Sequence, residues 1–206
     1  MKKLNNYINE KLKIGKSNIQ IPQYTCQPKD RDELRAILKE RLARNQDADL
    51  NDIDVSQITD MNNLFQDLKV GNIKIDNWDV SNVTNMRYMF FRCFEFDPIG
   101  LENWDVSNVR DMSYMFQSCQ VFNSDLSEWD VSKVEYMTFM FWHCYEFKGE
   151  GLENWKVDNV EDMDGMFYYC EKFDCDLSNW NVSKVENTNR MFYKCKSLKN
   201  KPSWYN

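Results

Sequence analysis

Five cysteines of this chain, Cys93, Cys119, Cys144, Cys170 and Cys195, follow one another at intervals of 26, 25, 26 and 25 residues. Thiols have three chemical uses: disulfide bridging, metal ligation and nucleophilic attack. Bridging and ligation need side chains that converge, yet no Cys-x-x-Cys pair occurs, and the one histidine, His143, completes no tetrahedral site by local spacing. Near-equal intervals instead put each thiol at one equivalent place of a repeat, and equivalent places stack into a ladder. Free cysteine packs as a small hydrophobe. The spacing therefore predicts buried thiols in a reducing compartment, with no metal and no cofactor. Cys26 and Cys175 lie off the ladder.

Carboxylates form a second column. Asp54, Asp79, Asp105 and Asp130 recur at the same period, and the column breaks at Lys156 and Asn181. Such a ladder could hold a cation or a basic partner, but adjacent carboxylates repel. Short acidic side chains more often accept from nearby backbone N–H groups at turns, which is the preferred reading. No calcium-loop pattern is present. Six glycines make no phosphate-binding loop, and no Walker, Rossmann or Gly-x-Ser-x-Gly motif appears. The chain is expected not to be an enzyme.

A third set is aromatic. Tyr88, Phe91, Tyr114, Phe139, Trp142, Tyr145, Tyr168, Tyr169 and Tyr193 stand at positions that vary between repeats, outside the apolar stripe. Large rings on an exposed face serve as anchors in protein interfaces. Rings tucked between neighbouring repeats are the alternative.

The elements that position these columns follow from the period. The motif Trp-Asp-Val-Ser-x-Val-x-x-Met-x-x-Met-Phe-x-x-Cys-x-x-Phe starts at Trp78, Trp104, Trp129, Trp155 and Trp180, with a last Trp at Trp204. A degenerate first unit starts at Ile53, with Val55, Ser56, Ile58, Met61, Leu64, Phe65 and Leu68 in the matching places. Six units that cannot bury their own apolar faces must stack. Trp-x-Val alternates like a short half-buried strand. Ser or Asp then stands at helix N-cap spacing, and Met86, Met89, Phe90 and Cys93 fall at i, i+3, i+4 and i+7, one face of a helix. Val83 to Met86 as a second extended segment, with the helix starting later, is an open alternative. The expected fold is an α/β repeat solenoid of strand–short-helix units. Ahead of it, Asp30 to Asn45 carries a Leu34, Ile37, Leu38, Leu42 stripe and reads as a capping helix. The predicted organisation is a polar lead over 1–28 with a short amphipathic helix at Leu4, Tyr7, Ile8 and Leu12, a capping helix over 29–48, and repeats over 49–206.

The repeated string from Trp78 to Phe90 and its copies resemble the repeats of BspA-like leucine-rich-repeat surface proteins, a domain of unknown function also found in mycoplasma lipoproteins, gut bacteria and phages. The resemblance implies a leucine-rich-repeat-like solenoid that binds proteins. Unlike the surface members, this chain begins basic at Lys2-Lys3 without an apolar stretch or cleavage site, so it reads as cytoplasmic, or virion-associated if phage-encoded.

Charge narrows the partners. Residues 1–48 carry 11 basic against 6 acidic side chains, and the remainder 15 against 27. An acidic repeat body repels phosphate backbones, which argues against nucleic acid. No window long enough to cross a bilayer is free of charge. A non-catalytic protein-interaction module with a protein partner is the function these features favour. A structural subunit that self-assembles through its repeat surfaces is the alternative.

Overall fold

The structure, a computed structural model, describes residues 24–205. The short helix expected around Leu4 to Leu12 lies outside them. Helix α1 spans Arg31–Arg44 and starts where Asp30 Oδ1 accepts from the Glu33 N–H at 2.9 Å. Asp32 and Glu33 in its first turn and Arg41 and Arg44 in its last complement the helix dipole. It buries Leu34, Leu38 and Leu42 against the first repeat.

The repeats stack, but not from the predicted parts. Among the described residues α1 is the one α-helix, and no strand forms. The expected α/β, leucine-rich-repeat-like solenoid of strand–short-helix units is overturned. Each repeat is instead a chain of turns, tied to its neighbours by isolated parallel bridges such as Asp60↔Asn85↔Asp111↔Tyr136↔Asp162↔Asn187.

Backbone hydrogen bonding explains the difference. A helix would close each N–H onto the carbonyl four residues back. Between Met86 and Arg92, alternate N–H groups leave the repeat. Met86, Tyr88, Phe90 and Arg92 donate to Asp111, Ser113, Met115 and Gln117 carbonyls of the next repeat at 2.8–3.0 Å. The groups between them close three-residue turns, Met89 onto Met86, Phe91 onto Tyr88 and Cys93 onto Phe90. Tyr88 and Arg92 take left-handed φ of 55° and 60° to allow this. The apolar stripe is satisfied equally by this path: Met86, Met89, Phe90 and Cys93 are all fully buried. Ser81 is not a helix N-cap either. It sits in the turn closed by Val83 N–H onto the Val80 carbonyl.

Inside, identical residues stack. Trp78 and Trp104 rings lie 6.1 Å apart and 5° from parallel. Each repeat tryptophan donates its indole N–H to a carbonyl one repeat back, from Trp78 to Leu50 at 3.0 Å through Trp204 to Leu177 at 2.9 Å. Phe65, Phe90, Phe116, Phe141, Phe167 and Phe192 form a second column with neighbours 4.9–5.8 Å apart. Cysteine forms the third. Cys93, Cys119, Cys144 and Cys170 are buried and Cys195 half-buried, and each thiol donates to the phenylalanine carbonyl one repeat back at 2.9–3.2 Å. Burial pushes these thiols far up, so they are inert as nucleophiles.

Connections alternate. The longer ones turn at Gly100 and Gly151, with φ of 95° and 89°, and open short 3-10 turns at Leu101–Asn103 and Leu152–Asn154. A Cβ on Gly100 would lie 2.1 Å from that of Asp76 in the shorter connection below it. Only glycine fits there.

Candidate interaction surface

The turn run that replaces the helix decides where the aromatic side chains go. Two left-handed positions recur per repeat. One column holds Asn63, Tyr88, Tyr114, Phe139, Gly165 and Arg190, and the other Asp67, Arg92, Ser118, His143, Tyr169 and Lys194. A left-handed backbone costs a non-glycine residue roughly 1–2 kcal/mol. Four inter-repeat hydrogen bonds per junction, at about 0.5–1.5 kcal/mol net each, offset it.

All nine aromatic residues singled out from the sequence share this face. Eight are half-buried, and Tyr193 is exposed. They form one connected series. Tyr88 stacks on Tyr114 at 4.5 Å, Tyr114 on Phe139 at 5.5 Å, and Phe139 contacts Trp142 at 5.0 Å. Trp142 meets Tyr168 edge-on at 5.7 Å, and Tyr168 stacks on Tyr193 at 5.0 Å. Phe91 joins through Tyr88, and Tyr169 through Tyr168 and Tyr193. Seven of the nine rings contact a ring of a neighbouring repeat, while Phe91 and Tyr145 pack on Tyr88 and His143 of their own repeats.

Three participants were missed. Arg87 lies 5.0 Å and 5.3 Å from the Tyr88 and Tyr114 ring centres, a cation–π clamp. His143 links Trp142, Tyr145 and Tyr169 at 5.0–5.5 Å, and burial lowers its pKa, favouring the neutral ring. Gly165 interrupts the first left-handed column after Phe139. A Cβ there would come 2.1 Å from Phe139 Cε1, so the Phe139 ring lies over bare backbone. Glycine at a position held by tyrosine or phenylalanine in the three preceding repeats was the available signal. Trp142 Nε1 and Ser113 Oγ are buried without a hydrogen-bond partner among the described residues.

The carboxylate column has the structural role expected of it. Asp54, Asp79, Asp105 and Asp130 each accept from the backbone N–H two residues on, at 3.0–3.1 Å. Bonding to Ser132 holds the Asp130 carboxyl below its usual range. No group of three or more His, Cys, Asp or Glu suited to a metal occurs among the described residues. Cys175, off the ladder, lies 3.5 Å from a Glu153 carboxylate oxygen, and burial with that contact raises it to about 12.

A family described as mycoplasma protein of unknown function, DUF285, matches residues 34–152 and again 125–206. The chain belongs to that family. No curated protein and no solved structure matches it. Among the described residues, no helix is long and apolar enough to cross a membrane.

Proposed function

We propose that this chain is a non-catalytic protein-interaction module whose docking surface is the aromatic series from Tyr88 to Tyr193. One observation carries the reading: the nine rings are locked by mutual stacking on a rigid repeat backbone yet remain open on their outer side. Rings held in this way lose little conformational entropy on binding, which is what interface anchors require. Their identities change from repeat to repeat while the buried columns beneath do not. A constant scaffold then carries a tailored surface. A kinship with BspA-like proteins, on the Trp-Asp-Val-Ser motif, and a cytoplasmic setting, on seven free thiols, belong to the same proposal.

Affinity capture from the native cell tests it, with the intact chain compared against Tyr168→Ala and Tyr193→Ala. Partner recovery should fall severalfold for both while thermal unfolding stays cooperative. Equal recovery from variants that fold normally would remove the aromatic series from the reading.

A further inference from the structure

At every junction of the stack, four backbone N–H groups of one repeat donate to carbonyls of the next. From the fifth repeat these are Met163, Gly165, Phe167 and Tyr169, donating to Asn187, Asn189, Met191 and Tyr193 at 2.8–3.1 Å. In the sixth repeat the same positions are Thr188, Arg190, Phe192 and Lys194. None of these four N–H groups has an acceptor among the described residues. Beside them the Glu186 carbonyl has no partner among the described residues either, although its counterparts Arg110, Glu135 and Glu161 each accept from the following repeat. The outer edge thus offers one acceptor followed by four donors, the pattern of a parallel pairing left half made.

The opposite edge is occupied. Its matching carbonyls are those of Asp60, Asn62, Leu64 and Gln66 in the first repeat, and α1 covers three of the four with guanidinium groups. Arg31 Nη1 reaches the Asn62 carbonyl at 3.5 Å, and Arg35 donates to those of Leu64 at 2.6 Å and Gln66 at 2.9 Å. A second copy therefore has three of its four acceptors already engaged, and two donor edges do not complement each other.

Charge identifies what fits. From Asn187 to Tyr205 the sequence has five basic and no acidic residues, on a body that is otherwise acidic. Lys196 and Lys199 pair back onto Glu171 and Asp174, and Arg190 lies in the field of Asp164. Lys194 and Lys201 lie 5.6 Å and 4.8 Å from the Tyr193 and Tyr205 ring centres and form no ion pair among the described residues. We propose that this edge docks an acidic polypeptide segment, which joins the stack by main-chain pairing. Its alternate carbonyls accept from Thr188, Arg190, Phe192 and Lys194, and one of its N–H groups donates to the Glu186 carbonyl. Its carboxylates meet Lys194 and Lys201. Strand addition of this kind draws affinity from the main chain and selectivity from the side chains. The edge adjoins the aromatic series at Tyr193, over which Lys194 lies, but its pairing rests on backbone groups and not on those rings.

The chain supplies its own probe. Residues 158–170 hold four acidic and no basic side chains, and within the fold they present the Asp162, Asp164, Met166 and Tyr168 carbonyls and the Glu161 N–H to the fourth repeat. A synthetic peptide of this sequence with Cys170→Ser, titrated into the full 15N-labelled chain, should give saturable shifts centred on the Thr188, Arg190, Phe192 and Lys194 amides. In the free protein those amides should exchange with solvent faster than their counterparts in the fifth repeat. The double variant Lys194→Glu/Lys201→Glu should weaken the peptide roughly three- to tenfold, as expected for two exposed ion pairs. Thr188→Pro, which removes one donor, should weaken it too. No saturable shift up to about 1 mM peptide, a threshold below which even weak specific binding registers, would overturn the proposal. So would shifts centred on Tyr88 to Phe139, or slow exchange of the four amides in the free monomer.

Discussion

At the first repeat, outward-facing carbonyls are met by Arg31 and Arg35 and the apolar core by Leu34, Leu38 and Leu42. At the sixth, the facing N–H groups meet no acceptor among the described residues, and the core thins out through half-buried Val182, Val185, Cys195, Leu198 and Trp204. The two ends belong to one column of like interactions, yet among the described residues only the first is covered. Sealing took a separate helix because a turn-built edge leaves polar backbone and apolar side chains exposed together. Stability should therefore be graded along the stack, highest beside α1 and lowest at the sixth repeat.

The largest effect should come from opening the sealed end. Leu38→Ala removes a fully buried side chain between α1 and the first repeat and should cost roughly 2–5 kcal/mol in chemical denaturation. Arg35→Ala leaves the Leu64 and Gln66 carbonyls without their partner and should cost about 2–3 kcal/mol. Proline scanning sharpens the contrast. Met137→Pro breaks a junction bond to the Asp162 carbonyl and should destabilise by at least about 1 kcal/mol, whereas Thr188→Pro, with no bond to lose, should change the midpoint very little. Equal costs for the pair would erase the asymmetry.

Acid should act on the sealed end first through Asp52. Its hydrogen bonds and ion pair to Arg41 hold its carboxyl at about 2, against an ordinary 3.8. A carboxyl with a lowered folded pKa contributes stability that is present above its unfolded value and lost as pH falls through the folded one. Amides of α1 should therefore lose exchange protection between about pH 4 and pH 2. The smallest effect belongs to His143. Its lowered pKa means that the unfolded chain takes up the proton first, so the aromatic face should loosen slightly as pH falls below the ordinary histidine value. Broadening of the Trp142 and Tyr169 resonances in that range would report it.

The period was legible because burial imposes it: Trp78, Phe90 and Cys93 must recur where the stack needs them. The unit's internal path was not, because Met86, Met89, Phe90 and Cys93 satisfy a helical stripe and a run of turns equally. What separates the two is the destination of the Tyr88 and Arg92 N–H groups, and side-chain patterning does not encode that. Asn63, Asp67 and Gly165 were the local signs, since these residue types adopt left-handed backbone at less cost than tyrosine. The aromatic face was found by its irregularity, while His143 and Arg87 were passed over because each looks unremarkable outside its stacking partners. The edge of the sixth repeat was invisible, being a property of backbone groups rather than of residue types.

Gly100 and Gly151 carry a consequence for how such a chain can change in length. Each long connection rests on a short one, with a glycine pressed against Asp76 or Ser127 of the connection beneath. The unit of inheritance is then a pair of repeats, one of each kind. Insertion or loss of a pair preserves every loop-on-loop contact, while a single-repeat change sets two loops of one kind together. Lengths that differ by whole pairs should mark the viable relatives of this chain.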